Sequence, residues 1–294
     1  MIVVAGGTGT LGRRIVERLT GRGDEVRVLT RDPRRGEHLP RTVELVAADL
    51  RRDPIDPLVA GASVVISAIH GFAGPTRTRP EAVDRDANAR LVAAAKRAGV
   101  GHFVLVSVVG AAPDHPMSLH RMKYAAEQDL LSSGISATTV RSTSFLETWM
   151  GIIGAKLAAG GPALVLGPGR NPINFVSADD LAAFVCLAAD RDPRTAQQLT
   201  VGGPENLTFS EIAEHLLASS NDGSGTRHVP LRVLRAMSVL ARPIHPAFAR
   251  QAQAAVLMNT TDMTLDAAPC RQDFPEIPST TMAMLTQRVG SGAR

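Results

Sequence analysis

Short runs rich in β-branched residues alternate with longer segments whose apolar positions recur every three to four residues through the first two thirds of the chain. Such alternation predicts strands and helices in turn. The runs fall at 2–5, 25–30, 43–47, 63–68, 102–106 and 137–141. Several lack period-two alternation, as parallel strands do when helices cover both faces of their sheet. Helices are predicted at 11–20, 80–98 and 118–133, closed by Gly21 and Gly23, by Gly99 and by Gly134, the residue type that most readily turns the chain after a last helical turn. The fold class read from this rhythm is α/β, a doubly wound parallel sheet.

Past Arg141 the pattern changes. Residues 145–159 read as a helix, and 160–174, rich in Gly and Pro, as a loop around one short strand at 163–166. A helix at 178–189 and a strand at 198–201 return the chain to the sheet. From Pro204 onward the pattern is mostly helical, with Thr208 and Glu211 at the spacing of a capping box. The division expected is a nucleotide-binding sheet domain over 1–145, completed by about 173–203, and a substrate or cap region over 146–172 and 204–294. The tail is expected to form a small helical cap over the sheet's carboxyl edge. Its apolar positions Leu231, Leu234, Met237, Leu240, Phe248, Val256, Leu257 and Met258 wall a pocket or pack on the sheet.

Composition narrows the function classes. With 294 residues, 44% apolar and 20% charged, the chain can bury a large core and is not a disordered one. Cys186 and Cys270 cannot build a disulfide framework, and neither stands near a second Cys or a His at metal-ligand spacing, so no metal site and a reducing, cytoplasmic setting are expected. The first residues run straight into a glycine loop, leaving no room for a signal peptide. The least polar long stretch, 149–167, is interrupted by Lys156 and Pro162, so no membrane span or membrane partner is expected. A net charge of +4 with only 3% aromatics gives no base-stacking platform, and no nucleic-acid partner is expected.

The most informative segment is Gly6-Gly7-Thr8-Gly9-Thr10-Leu11-Gly12, which carries both GxxGxxG and GxGxxG between a strand and a helix. Glycines there make a tight turn, let backbone N–H groups approach a pyrophosphate, and let the helix pack on the strand. The phosphates sit on the positive end of the helix. A Rossmann-type site for NADP(H) or NAD(H) is the reading. The end of the second strand is Thr30-Arg31-Asp32-Pro33-Arg34-Arg35. Arg31 stands where NAD sites place an acid, and a guanidinium suits a ribose 2′-phosphate; Arg13 can lend further charge. Asp32 keeps NAD possible, while Arg34 and Arg35 also read as solvated surface. Asp49, beside Leu50, is either an acceptor for the adenine amino group or a turn aspartate. Ser67, Ala68 and Ile69 follow the fourth strand at the sheet's carboxyl edge, where small residues let a cofactor pass, and His70 is a contact or an ordinary loop residue.

These motifs resemble the short-chain dehydrogenase/reductase superfamily, and within it the atypical, NmrA-like branch. The resemblance runs from Ile2 to about Gly203 and rests on the glycine loop, Asp49-Leu50, the Val-Leu-Val-Ser run ending at Ser107, Lys123, and the run from Asn174 to Asp180. It implies a Rossmann domain, a small variable substrate domain, and hydride transfer between NAD(P)H and a small, largely apolar carbonyl, enone or quinone. Typical members use Tyr-x-x-x-Lys with a Ser after the fifth strand. Lys123 matches the Lys, but Leu119 occupies the position of the Tyr acid. Tyr124 points about 100° away from Lys123. His120, three residues before Lys123, shares its helix face and is the candidate proton donor, or a surface histidine. The resemblance gives Lys123 to the cofactor, against an exposed helix lysine, and leaves Ser107 a cofactor contact or a structural serine. It also puts Thr143, Ser144 and Phe145 beside the nicotinamide, and makes Asn174 to Asp180 a lock for the substrate segment, with Asp179 or Asp180 capping a helix. A non-catalytic NADP(H) sensor is the alternative function. Oligomeric state is not legible.

Overall fold

The computed structural model describes residues 1–71, 79–190, 197–220 and 225–292. The chain forms two compact units, one of Met1–Ser142 with Leu181–Val201, the other of Thr143–Asp180 with Gly202–Arg294.

The first unit holds β1 (Ile2–Ala5), α1 (Thr10–Gly21), β2 (Val26–Thr30), β3 (Glu44–Ala47), α2 (Asp56–Val59), β4 (Val64–Ser67), α3 (Asn88–Arg97), β5 (His102–Val108), α4 (Ser118–Ser133) and β6 (Ala137–Ser142). Together with the strand Gln197–Val201 they build a seven-stranded sheet in which every pairing is parallel. Its order is Gln197–Val201, β6, β5, β4, β1, β2, β3. The chain winds outward from β1 to β3, then crosses back to β4 on the other side of β1. That reversal opens a crevice beyond the carboxyl ends of β1 and β4, the place where open α/β sheets bind ligands. Successive residues of β1, β4 and β5 are buried, Val3, Val4, Val65, Ile66, Phe103 and Val104 among them. Helices on both faces thus account for runs without alternation.

Gly134 closes α4 in the left-handed conformation, whereas Gly21 lies inside the last turn of α1 and Arg22 caps it. The segment expected as one helix over 80–98 contains a π-helical stretch, Ala82–Ala87, before α3. Nothing in the apolar spacing marks that extra residue per turn.

In the second unit, β7 (Ser144–Phe145) leads into α5 (Leu146–Ile153). This helix ends at Gly154 instead of running to 159, and only a 3₁₀ turn, Leu157–Ala159, follows. β8 (Ala163–Leu166), β9 (Ile173–Val176) and α6 (Ala178–Ala189) come next, and α6 passes into the first unit ahead of β10 (Gln197–Val201). Of the stretch expected to complete the large sheet, β10 joins it; β9 instead pairs with β7 and with β11 (Asn206–Leu207) in a three-stranded sheet. The remaining elements are α7 (Phe209–Ser220), β12 (Thr226–Val229), α8 (Leu231–Leu240), α9 (Pro246–Met258), α10 (Ala268–Asp273) and α11 (Met282–Gly292). β12 pairs with β8 and was not predicted, because Thr226-Arg227-His228-Val229 has no apolar run. A separate core of Leu146, Ile153, Val165, Phe175, Phe209, Ile212 and Met282 holds this unit, with Trp149 stacked on Phe209 at 4.7 Å.

The capping box forms as expected: the Thr208 N–H donates to Glu211 Oε2 at 2.7 Å, and the Glu211 N–H to Thr208 Oγ1 at 3.1 Å. The start of α6 differs from expectation. Ser177 Oγ accepts from the Asp179 N–H, and the Glu147 carboxylate accepts from the Ala178 N–H and from Ser177 Oγ. The Asp180 carboxylate accepts instead from Thr280 Oγ1 (2.6 Å), the Thr280 N–H (2.8 Å) and Arg271 Nη2 (3.2 Å). Among the described residues no helix is long and apolar enough to cross a membrane.

Candidate functional site

The glycine loop joins β1 to α1 at the mouth of the crevice. Gly6 has a left-handed φ of +84°, and a Cβ there would meet the Ala68 carbonyl oxygen at 2.8 Å. A Cβ on Gly12 would lie 2.1 Å from the Gly6 carbonyl oxygen. Both glycines are therefore demanded by the protein's own packing. Gly9 is different. Its backbone is extended (φ −81°, ψ 174°), and a Cβ there would meet only the Gly6 oxygen, at 3.3 Å. Gly9 is the N-cap of α1 and supplies no side-chain acceptor, and the first turn carries no acid. The N–H groups of Thr10, Leu11 and Gly12 begin the helix without intrahelical acceptors. This positive helix end, with a cradle that a side chain at Gly9 would fill, can accept a diphosphate. Thr8 Oγ1, 3.2 Å from Thr30 Oγ1, ties the loop to the end of β2.

Just past β2, Asp32 caps the 3₁₀ turn Pro33–Gly36, accepting from the Arg34 N–H (3.2 Å) and Arg34 Nε (3.0 Å). The Arg34 guanidinium holds that carboxyl below the usual range. Arg31 is exposed, as is Arg13, and neither side chain makes a hydrogen bond or ion pair among the described residues. The acid of this strand end is thus engaged and the adjacent cation free. Beside buried Leu50, the Asp49 carboxylate is also engaged, accepting from Arg51 Nε (2.8 Å) and Nη2 (2.6 Å). Arg51 pulls its pKa down to about 2, so Asp49 is ionised, and its Oδ1 also accepts from the Arg51 N–H at 3.2 Å across the turn.

Sequence reasoning missed a buried polar network at the end of β4. Ser67 Oγ donates to Asn88 Oδ1 (2.6 Å), Asn88 Nδ2 to the Asp84 carbonyl (2.9 Å), and the Gly71 N–H to Asp84 Oδ2 (3.0 Å). Lys123 is not an exposed helix lysine: it is 3% exposed, and its Nζ donates to the carbonyls of Ile69 (3.0 Å) and Val106 (3.1 Å). Its ammonium stands 3.7 Å from Asp84 Oδ1, with His70 Nδ1 at 3.5 Å from the same oxygen. Burial opposes the Asp84 carboxylate, but His70 and Lys123 outweigh it and hold the group below its ordinary range. Burial pulls the Lys123 ammonium downward against Asp84. The one signal for Asp84 was its place four residues before Asn88 and seven before Leu91, on the apolar side of the helix.

Leu119 is buried, and so is His120, which is not a surface histidine. The His120 ring stacks on His115 at 3.8 Å, and burial, with His115 adding, takes its pKa down to about 4. At neutral pH it is a neutral imidazole. Below the unfolded pKa of 6.5 the unfolded chain takes up a proton that the native state refuses until about pH 4. Stability is therefore expected to fall across that window by up to about 3 kcal/mol. Urea unfolding of wild type and His120→Gln over this range checks it: the variant's stability should fall less steeply, and parallel curves would remove His120 as the cause. Ser107 is buried on β5, and its Oγ and His120 Nδ1 have no partner among the described residues.

Thr143, Ser144 and Phe145 belong to the second unit, where Thr143 Oγ1 donates to Asn174 Oδ1 at 3.1 Å. Asn174 in turn binds the Gly203 N–H (2.8 Å) and, through Nδ2, the Gly203 carbonyl (3.1 Å) and Asn206 Oδ1 (3.1 Å). The run from Asn174 to Asp180 is a structural knot of that unit.

The family model described as NmrA-like matches residues 1–267. An NAD(P)H azoreductase of Xenophilus azovorans is 30% identical over 241 residues, covering 82% of this chain and 80% of that protein. The photosystem II assembly factor Ycf39 of Synechocystis sp. is 26% identical over 288 residues, covering 96% and 88%. Among solved structures, an NADPH-dependent quinone oxidoreductase of Escherichia coli complexed with NADPH superposes with a TM-score of 0.79 at 20% identity over 98% of this chain and 99% of that one. A triphenylmethane reductase of Citrobacter sp. superposes with a TM-score of 0.78 at 17% identity over 99% of each. These structural matches show a shared fold.

Proposed function

The chain belongs to the NmrA-like family, and on that premise we propose that it is an NADPH-dependent reductase of small, largely apolar acceptors. The observation that carries the reading is the pairing of an uncapped helix end, left open by Gly9, with a free Arg31 beside an Asp32 already held by Arg34. Thr10, Leu11 and Gly12 would hold the diphosphate by their N–H groups, and Arg31 the 2′-phosphate. When bound, the reduced nicotinamide supplies a hydride. The proteins similar to this chain include an azoreductase, a quinone oxidoreductase and a triphenylmethane reductase. Azo compounds and quinones spread incoming negative charge over a conjugated system, and a cationic triphenylmethane dye is neutralised by the hydride itself, so none of them calls for a strong acid at the acceptor, which suits a site with Leu119 where a tyrosine acid would stand. With His120 neutral, the proton comes from solvent. Lys123, by holding Ile69 and Val106, positions the loop after β4.

NADPH is expected to bind more tightly than NADH, and Arg31→Ala to weaken NADPH selectively by about 10- to 150-fold, the loss of a hydrogen bond to a charged group of about 1.5–3 kcal/mol. Calorimetric titration of both dinucleotides against both proteins tests this; equal wild-type affinities would refute the 2′-phosphate assignment. NADPH oxidation with quinones and azo dyes then tests turnover. Buried Leu119 also favours a second reading, a dinucleotide-binding regulator that transfers no hydride, and Ycf39, an assembly factor, aligns over 96% of the chain. Tight NADPH binding with no oxidation by any of those acceptors would select it.

A further inference from the structure

One long stretch near the carboxyl end of the chain carries cations and no acids. Residues 223–261 contain Arg227, Arg232, Arg235, Arg242 and Arg250, with no Asp or Glu, so setting these five aside from the net +4 leaves the rest of the chain at −1. Its described residues, 225–261, fold in the second unit as β12 followed by the α8–α9 hairpin. Leu234, Ala249, Ala252, Ala255 and Met258 turn into that unit and are buried. The tip is the opposite: Val239 is 57% exposed, Leu240 72% and Ile244 80%, with Val233 and Phe248 each 40% exposed. Leu240, expected to wall a pocket or pack on the sheet, is therefore largely open to solvent, and Phe248 is partly so. On α8, Val233, Ala236 and Leu240 lie along one exposed strip, since residues three, four and seven apart share a helix face. Arg232 and Arg235 border it, and Arg242 and His245 flank Ile244; all four are exposed.

We propose that the α8–α9 tip docks the protein on an anionic lipid surface. Exposed aliphatic side chains ringed by arginines, without a carboxylate, match the two halves of such an interface: the apolar tip enters the acyl boundary and the guanidinium groups meet the lipid phosphates. Charge complementarity selects this occupant. A second copy would set the same arginines against each other across a two-fold contact. A nucleic acid would pair with the arginines but strand Leu240 and Ile244 against phosphates. The lack of a spanning helix among the described residues concerns crossing a membrane, whereas this hairpin would lie in its surface.

The test is co-sedimentation of the full chain with phosphatidylcholine vesicles, alone or with about one third phosphatidylglycerol. Wild type is expected to pellet with the anionic vesicles only. Leu240→Asp with Ile244→Asp should lower partitioning by about 100-fold, as two buried side chains are lost. Arg235→Gln with Arg242→Gln should lower it by about 25-fold, at about fivefold per charge near the surface. Unchanged circular dichroism and NADPH affinity in these variants show that the fold and the cofactor site are intact, which separates this proposal from the reductase reading. Equal pelleting with neutral vesicles would overturn the proposal, as would full binding by the aspartate variant. So would a dimer abolished by Leu240→Asp, or duplex DNA bound more tightly than vesicles.

Discussion

Lys123→Met is expected to lower the unfolding free energy by about 3–5 kcal/mol, the cost of leaving a buried charge without its partner. Asp84 is fully buried, its Oδ1 has no hydrogen-bond donor among the described residues, and the Lys123 ammonium stands 3.7 Å from that oxygen, with His70 Nδ1 at 3.5 Å. Methionine fills a similar volume but removes the charge and frees the carbonyls of Ile69 and Val106. Adding Asp84→Asn removes the stranded carboxylate, so the double variant should recover a large part of the loss. Urea unfolding of the wild type, both single variants and the double variant gives the coupling directly. A single-variant loss below about 1 kcal/mol would mean that the pair contributes little to the fold.

Gly9→Val is expected to cost at least about 100-fold in NADPH affinity, about 2.7 kcal/mol, while the thermal transition stays near that of the wild type. The contrast with Gly12 is the control. A side chain at Gly12 collides with the backbone of the loop itself and should prevent folding, whereas one at Gly9 meets a single oxygen at 3.3 Å and mainly fills the cradle before α1. Calorimetry and a melting curve on the same sample separate the two effects. Wild-type affinity in Gly9→Val would move the diphosphate off the glycine loop.

β1, β4 and much of β5 were legible because burial on both faces leaves apolar runs in the sequence, β2, β3 and β6 because short β-branched runs lie between helical patterns, and the glycine loop because its spacing reports close backbone approach. The features that escaped are those whose cause is tertiary. Asp84 sits among Glu81, Arg85 and Asp86 in a segment that reads as a solvated helix, and only the π-helical stretch and the distant Lys123 explain its burial. β12 forms from Thr226-Arg227-His228-Val229 because β8 offers a free edge, not because those residues favour a strand by pattern. The depressed pKa of His120 depends on His115 and on burial, neither visible in a helical repeat. The ion pairs of Asp49 with Arg51 and of Asp32 with Arg34 depend on side-chain placement, which sequence position alone does not report.

The order in which the chain visits its two units has a consequence for synthesis. The large sheet is complete only when β10 pairs with β6, and between these neighbours lie the 38 residues of Thr143–Asp180, which belong to the other unit. A nascent chain that has reached Ser142 carries six of the seven strands with β6 as an open parallel edge, a template for pairing with other chains. At about 5–20 residues per second, the roughly 60 residues to Val201 take about 3–12 s to emerge. During that interval on the ribosome the edge stays unpaired, and a fragment ending at Ser142 would keep it so permanently. The first unit is thus contiguous in space but not in translation, and no single cut yields it as a continuous polypeptide.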